Sequence, residues 1–130
     1  VLYTHILKDK EPILDCQADG FIISTQTGST GYSFSAGGPV LDTDVEAFVL
    51  TAVCPISLFR PIVFPADSTL TLKIEKPRRI LVVVDGRHRQ PISSKSPILT
   101  ATRSKYETSF IRFGENFYSR LRSRLLFKGV

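Results

Sequence analysis

Thr27, Gly28, Ser29, Thr30, Gly31, Tyr32 and Ser35 crowd hydroxyls, glycines and one phenol into a single short stretch of this 130-residue chain. Glycine tolerates backbone angles that other residues resist and lets main-chain N–H and C=O groups approach a ligand closely. Each hydroxyl can both donate and accept. Such a loop suits the edge of a purine or the oxygens of a ribose or phosphate, and Tyr32 adds a flat apolar ring able to cover a base. Upstream, the Asp19 carboxylate can accept from an amide or amino group, or cap the turn before Gly20. From composition alone, a Ser/Thr/Gly loop serves equally well as a plain connector between strands, and both readings stand at this level. A P-loop fits poorly, because no Gly-Lys-Ser/Thr follows the glycines. A serine hydrolase fits worse: Gly28-Ser29-Thr30-Gly31 lacks the nucleophile-elbow spacing, and His5 and His88 have no evident triad partners.

Other chemistry is thin. Cys16 and Cys54 are the only cysteines, too few for a disulfide framework and without metal-ligand spacing to either histidine, so both are expected to be buried free thiols. The formal charge of +5 suits an anionic ligand or partner. The basic excess gathers at Lys73 to Arg89 and at Arg112 to Lys128, and neither stretch interleaves aromatic and basic residues as a base-stacking surface does, which argues against nucleic acid.

Hydrophobic residues make up 42% and charged residues 22%, ordinary globular usage. The longest apolar run, Ile80 to Val84, is too short to span a bilayer, and Lys8, Asp9 and Lys10 interrupt any secretory signal. The expectation is a soluble, intracellular protein, cytoplasmic or mitochondrial, with no membrane partner.

The elements that must position the loop read as strands. Phe21-Ile22-Ile23, Phe48-Val49-Leu50 and Ile80 to Val84 are short apolar runs of the kind covered on both faces. Thr69 to Ile74 alternates, with Leu70, Leu72 and Ile74 on one face. Phe110-Ile111-Arg112-Phe113 reads as a further strand. Asp85-Gly86 is a hairpin turn signal, and Pro61, Pro65, Pro91 and Pro97 mark breaks or edges. Alternation past the loop would send Ser33 to the opposite face from its neighbours. These features predict a mainly β fold, a two-sheet antiparallel β-sandwich with a short C-terminal helix, in one domain: sandwich over residues 1–113, helix and tail over 114–130. The helix is expected from about Glu115 to Phe127, with Phe117, Tyr118, Leu121 and Leu125 on one face, Arg120 and Arg124 largely off it, and Gly129 ending it. A helix of about 13 residues is marginal alone, so its apolar face must dock.

The stretch Ala18-Asp19-Gly20 through Ser24-Thr25-Gln26-Thr27-Gly28-Ser29-Thr30-Gly31-Tyr32-Ser33-Phe34-Ser35-Ala36-Gly37-Gly38-Pro39 resembles the long signature of NAD kinases: Ala-Asp-Gly, a few apolar residues, then Ser-Thr-Pro-Thr-Gly-Ser-Thr-Ala-Tyr-Ser-Leu-Ser-Ala-Gly-Gly-Pro. A second block, Cys54-Pro55-Ile56-Ser57-Leu58-Phe59-Arg60-Pro61-Ile62-Val63-Phe64-Pro65, is similar to that family's Cys-Pro-His-Ser-Leu-Ser-Phe-Arg-Pro-Ile-Val-Leu-Pro, the version of eukaryotic members. The tail from Tyr118 to Phe127 resembles the family's closing helix.

The resemblance implies the C-terminal, dinucleotide-binding and oligomer-forming half of an ATP-dependent kinase that phosphorylates the 2′-hydroxyl on the adenosine ribose of NAD. It puts Asp19, Thr27, Gly28, Ser29, Thr30, Gly31, Tyr32 and Ser35 at the NAD site, and Cys54 and Ile56 where a neighbouring subunit's dinucleotide is touched. The family's Gly-Gly-Asp-Gly loop and Asn-Glu pair are absent from this sequence, so the resemblance assigns no catalytic residue and no metal ligand to it. ATP, Mg2+ and turnover are expected only with an α/β half upstream. Three departures stand out: Gln26 for Pro, Gly31 for Ala, and Ile56 for His. They keep open an alternative, a non-catalytic scaffold or dinucleotide-sensing module of the same ancestry.

Overall fold

A computed structural model describes residues 1–77, 79–114 and 116–126. Among the described residues nine strands follow one another: β1 (Leu2–Lys8), β2 (Glu11–Ala18), β3 (Gly20–Thr25), β4 (Ala47–Val53), β5 (Ile62–Pro65), β6 (Leu70–Glu75), β7 (Ile80–Val84), β8 (His88–Ile92) and β9 (Ile98–Ala101). Between β3 and β4 lie a 3-10 turn, Thr27–Thr30, and one helical turn, α1 (Tyr32–Ser35). The chain closes with α2 (Phe117–Leu121), which widens into a π-helical turn, Arg122–Leu126.

The strands form a four-stranded sheet ordered β2-β1-β6-β9, a three-stranded sheet ordered β3-β4-β5, and a separate β7-β8 ribbon. All pairings are antiparallel. Alternation in β6 buries Leu70, Leu72 and Ile74, as its sequence predicts. Two of these join one cluster with Ile6 and Cys16 from the same sheet and Phe48, Leu50 and Phe64 from the other. The two sheets therefore pack face to face on a shared core, the expected sandwich. A fully buried Leu or Ile there contributes about 1.5–3 kcal/mol.

β4 reads as continuously apolar for a specific reason. Phe48, Leu50 and Ala52 face the core between the sheets, while Ala47 and Val49 meet Leu41 on the other side. The chain that connects β3 to β4 folds back over the outer face of its own sheet and covers it, making a third layer from the segment that carries the glycines.

Three expectations fail, and a fourth holds for a different reason. Ile80–Val84 is a strand, but Leu81, Val83 and Val84 are exposed: β7 pairs only with β8, and a run of β-branched residues satisfies backbone preference in a ribbon without being buried. Phe110-Ile111-Arg112-Phe113 forms no strand: it is irregular and pairs with none of the sheet edges. Ser33 does point to the opposite face from Tyr32, buried against Thr51, although it does so from α1 and not from a strand. Cys16 is buried, at 4% exposure, and burial pushes its thiol pKa up, but Cys54 is exposed. A left-handed φ of 48° at Cys54 turns the chain sharply out of β4.

The C-terminal helix begins as expected. Asn116 caps it, accepting from the Ser119 N–H at 2.8 Å, one of the orphan donors every helix start leaves. Glu115, Phe127 and Gly129 lie outside the described residues. Among the described residues no helix is long and apolar enough to cross a membrane.

Candidate functional site

The glycine-rich segment is tied to itself, to the chain that follows it and to β4. The Gln26 carbonyl accepts from the Ser29 N–H at 3.3 Å and from the Ser29 hydroxyl at 2.7 Å, while the same hydroxyl accepts from the Leu41 N–H at 3.0 Å. Ser29 is 0% exposed, so its hydroxyl is spent on folding the loop and is not free for a ligand. Ser33 is buried as well and shares a hydrogen bond with Thr51 on β4, Oγ to Oγ1 at 3.1 Å. The Gly38 N–H donates to the Ser33 carbonyl at 2.7 Å, and Gly37, at φ +90°, makes the left-handed turn between them and the strand. Only glycine takes that angle without strain.

What remains outward is the chemistry. Thr27, Gly28, Gly31 and Ser35 are exposed, Thr30 is half-buried, and Tyr32 is 66% exposed with its ring free. One departure from the NAD kinase signature, Gln26, leaves the backbone path intact, and a second, Gly31, leaves room for the usual side chain. Gln26 holds φ −54°, the value a proline would impose. At Gly31 an alanine methyl would meet only the Gly28 carbonyl, at 3.4 Å.

Thr27, Thr30 and Thr43 form one wall of a 410 Å³ cleft. Its other wall is the C-terminal tail: Phe110, Ile111 and Arg112 from the extended segment, then Phe117, Arg120, Leu121, Arg124 and Leu125 from the helix. Sequence reasoning put Arg120 and Arg124 off the apolar face. They line the same cleft, and it is Tyr118 that turns aside, donating to Asp42 at 2.6 Å. That hydroxyl, helped by the Asp44 N–H, holds the Asp42 carboxyl below its ordinary pKa, and Asp42 in turn raises that of Tyr118. Arg103 adds a second tie, donating from both terminal nitrogens to the Glu46 carboxylate at 3.2 Å each. The expected docking partner of the helix is thus, in part, the glycine-rich layer of its own chain.

Asp19 is not part of this cleft. It stands at the start of β3, and the six residues of that strand, at about 3.3 Å each, separate it from Thr27 by about 20 Å. Its N–H donates to the Val53 carbonyl at 2.9 Å, which places Asp19 beside Cys54. Ile56 lies nearby, its N–H donating to the Gln17 carbonyl at 2.9 Å. Ile56 lines a second hollow of 220 Å³ with Tyr3, Asp15 and Gln17. The residues singled out in sequence therefore divide into two groups at opposite ends of β3. Sequence reasoning missed Thr43 and the cleft-facing arginines; the basic excess of the tail was the available signal. Among the described residues no group of three His, Cys, Asp or Glu side chains is placed to hold a metal ion.

These elements define a two-sheet antiparallel β-sandwich in which the glycine- and hydroxyl-rich connection between β3 and β4 faces a basic C-terminal tail across a cleft. The profile of the ATP-NAD kinase C-terminal domain matches residues 1–113, and the chain belongs to the NAD kinase family. The NAD kinase of Methanothermobacter thermautotrophicus is 35% identical over 100% of this chain and 46% of its own length. An NAD kinase from Archaeoglobus fulgidus, solved in complex with ATP, superposes with a TM-score of 0.79 at 30% identity, over 94% of this chain and 48% of that one. Yeast NADH kinase complexed with NADH gives a TM-score of 0.82 at 28% identity, over 99% and 41%. The chain spans less than half the length of these relatives, matching their C-terminal domain.

Proposed function

We propose that residues 1–130 act as one domain that supplies the dinucleotide-binding face of an NAD kinase, which moves a phosphoryl group from ATP to the 2′-hydroxyl of the adenosine ribose of NAD. The observation that carries this reading is the loop itself. Its interior hydroxyls, Ser29 and Ser33, are consumed by the fold, while Thr27, Thr30, Ser35 and the Tyr32 ring are left facing outward on a rigid base. Preorganised donors beside a flat ring suit a base and its ribose. That Gln26 preserves the backbone path favours a working site over a scaffold relic.

The metal and the carboxylate needed for phosphoryl transfer come in this reading from an α/β half bearing the Gly-Gly-Asp-Gly loop and the Asn-Glu pair. Asp19, grouped with Cys54 and Ile56 at the other end of β3, serves in this reading dinucleotide bound at a neighbouring subunit. Exposed Ile56, Leu58, Ile111 and Phe113 supply apolar surface for such an oligomer and for the α/β half. Two unpaired thiols fit a reducing, intracellular compartment, cytoplasmic or mitochondrial.

The test is a fusion of residues 1–130 behind the α/β half of the Methanothermobacter enzyme. It is expected to form NADP from NAD and ATP, with Tyr32→Ala weakening NAD binding about tenfold, a loss of stacking and edge contact. A folded fusion whose NAD affinity ignores Tyr32 contradicts the reading.

A further inference from the structure

The charge excess of the chain sits in one place. Residues 76–95 hold Lys76, Arg78, Arg79, Arg87, Arg89 and Lys95 against one carboxylate, Asp85, which gives this segment the full +5 of the chain and leaves basic and acidic residues balanced elsewhere. The segment contains the β7-β8 ribbon. Lys76, Arg79, Arg87, Arg89 and Lys95 form no ion pair with a described carboxylate. Like charges gathered on one element repel, and a fold that holds them there without counter-charge is complementary to an acidic partner.

The ribbon presents apolar surface beside that charge. Its register sets Val83 opposite Arg89 and Leu81 opposite Pro91, so these four side chains share one face. Leu81 and Val83 are 52% and 47% exposed on it, whereas Ile80, on the other face, is buried and anchors the base of the ribbon. The tip is a tight turn: Asp85 and Gly86 both take left-handed φ, 51° and 68°, and the Arg87 N–H donates to the Val84 carbonyl at 3.1 Å. That geometry matches the twist of paired strands and holds the hairpin in register.

The two edges of the ribbon differ. β8 carries His88, Arg89 and Pro91, residues that discourage further pairing. β7 is Ile-Leu-Val-Val-Val, with neither charge nor proline, and among the described residues it pairs only with β8. Its outer row of backbone N–H and C=O groups is open, and an open apolar edge of this kind accepts an added strand. A second copy of the chain would bring the same basic segment against the first, and like charge across an interface opposes that pairing. We propose that the β7-β8 ribbon docks an acidic, extended segment of another polypeptide, which pairs along the open edge of β7 while its carboxylates meet Arg79, Arg87 and Arg89 and its apolar side chains cover Leu81 and Val83.

The probe is a capped peptide of alternating glutamate and valine, as long as β7, titrated calorimetrically into the 130-residue chain at about 0.15 M salt. Arg87→Gln with Arg89→Gln keeps the side-chain stems, removes two charges and is expected to weaken binding about fivefold. Val83→Thr keeps the strand preference, removes apolar surface and is expected to weaken it about threefold; circular dichroism checks the fold of each variant. The same peptide N-methylated throughout keeps its charges, has no backbone donor, and is expected to bind about tenfold more weakly or worse. Phosphatidylserine vesicles and polyuridylate offer anionic charge without a strand. If either binds as tightly as the peptide, or the methylated peptide matches its parent, the ribbon is a general polyanion patch and the proposal is overturned. No binding to folded chain overturns it as well. In the fusion to the α/β half of the Methanothermobacter enzyme the peptide is expected to bind unchanged; a ribbon masked there serves the enzyme's own assembly, which also overturns the proposal and leaves the dinucleotide reading standing.

Discussion

Replacing Gly38 by alanine adds one methyl group where the glycine-rich layer closes on its sheet. That methyl would overlap the Ser33 hydroxyl and come within 2.7 Å of the Ser33 carbonyl oxygen and 3.0 Å of Thr51 Oγ1. The carbonyl is main chain and already accepts from the Gly38 N–H at 2.7 Å, so relief requires the backbone of the layer to move. Overpacking of this kind costs about 1–3 kcal/mol, and losing the buried Ser33 to Thr51 hydrogen bond adds about 1 kcal/mol. Together they predict that Gly38→Ala destabilises the chain by about 2–4 kcal/mol, a fall of about 1–2 M in the urea midpoint. Gly20 is the internal control, since an alanine methyl there meets nothing within 4 Å; Gly20→Ala is expected to stay within about 0.5 kcal/mol of the parent. A Gly38→Ala chain as stable as the Gly20→Ala chain would refute the claim that the layer is locked through Ser33.

Three further outcomes follow from side chains elsewhere. His5 is held between Glu75 and Asp15, each at 2.7 Å, and these hydrogen bonds raise its pKa above 6.5; the stabilisation is full below about pH 6.5 and is lost as pH rises through the folded value, so His5→Gln should flatten urea stability measured from about pH 5.5 to about pH 8.5. Because the Tyr118 hydroxyl lowers the pKa of Asp42 from 3.8, that pair contributes above the unfolded value and fades as pH falls through the folded one; Tyr118→Phe should reduce the acid-side loss of stability and speed amide exchange across Phe117–Leu121. A thiol reagent should modify exposed Cys54 in the native chain and buried Cys16 only on unfolding, as peptide mapping would show.

Much of the architecture was legible because burial writes periodicity into sequence. The alternation of β6 and the continuous apolar run of β4 both announced how many faces are covered. The same signal misled at Ile80–Val84, where β-branched residues serve a two-stranded ribbon, and at Phe110–Phe113, where aromatic residues line a cleft floor and an open surface instead of a ladder. The loop was found by its glycines and hydroxyls, but not which hydroxyls were free: Ser29 and Thr30 look alike in sequence, and only the path of the chain to Leu41 consumes one of them. The distance between Asp19 and Thr27 was hidden in the same way, since a strand connects them and sequence proximity says nothing about its two ends. Arg120 and Arg124 fall off the apolar face in a helical projection, which shows that face and not what stands opposite the arginines.

The central claim is that the outward side of the glycine-rich layer receives the dinucleotide. Amide chemical shifts of the labelled 130-residue chain, followed as NAD is added, test it residue by residue. The account predicts the largest changes at Thr27, Gly28, Thr30, Gly31 and Tyr32, with the β7-β8 ribbon unmoved. Changes centred on the ribbon, or none in a folded chain at about ten times the usual millimolar ceiling of substrate affinity, would contradict it.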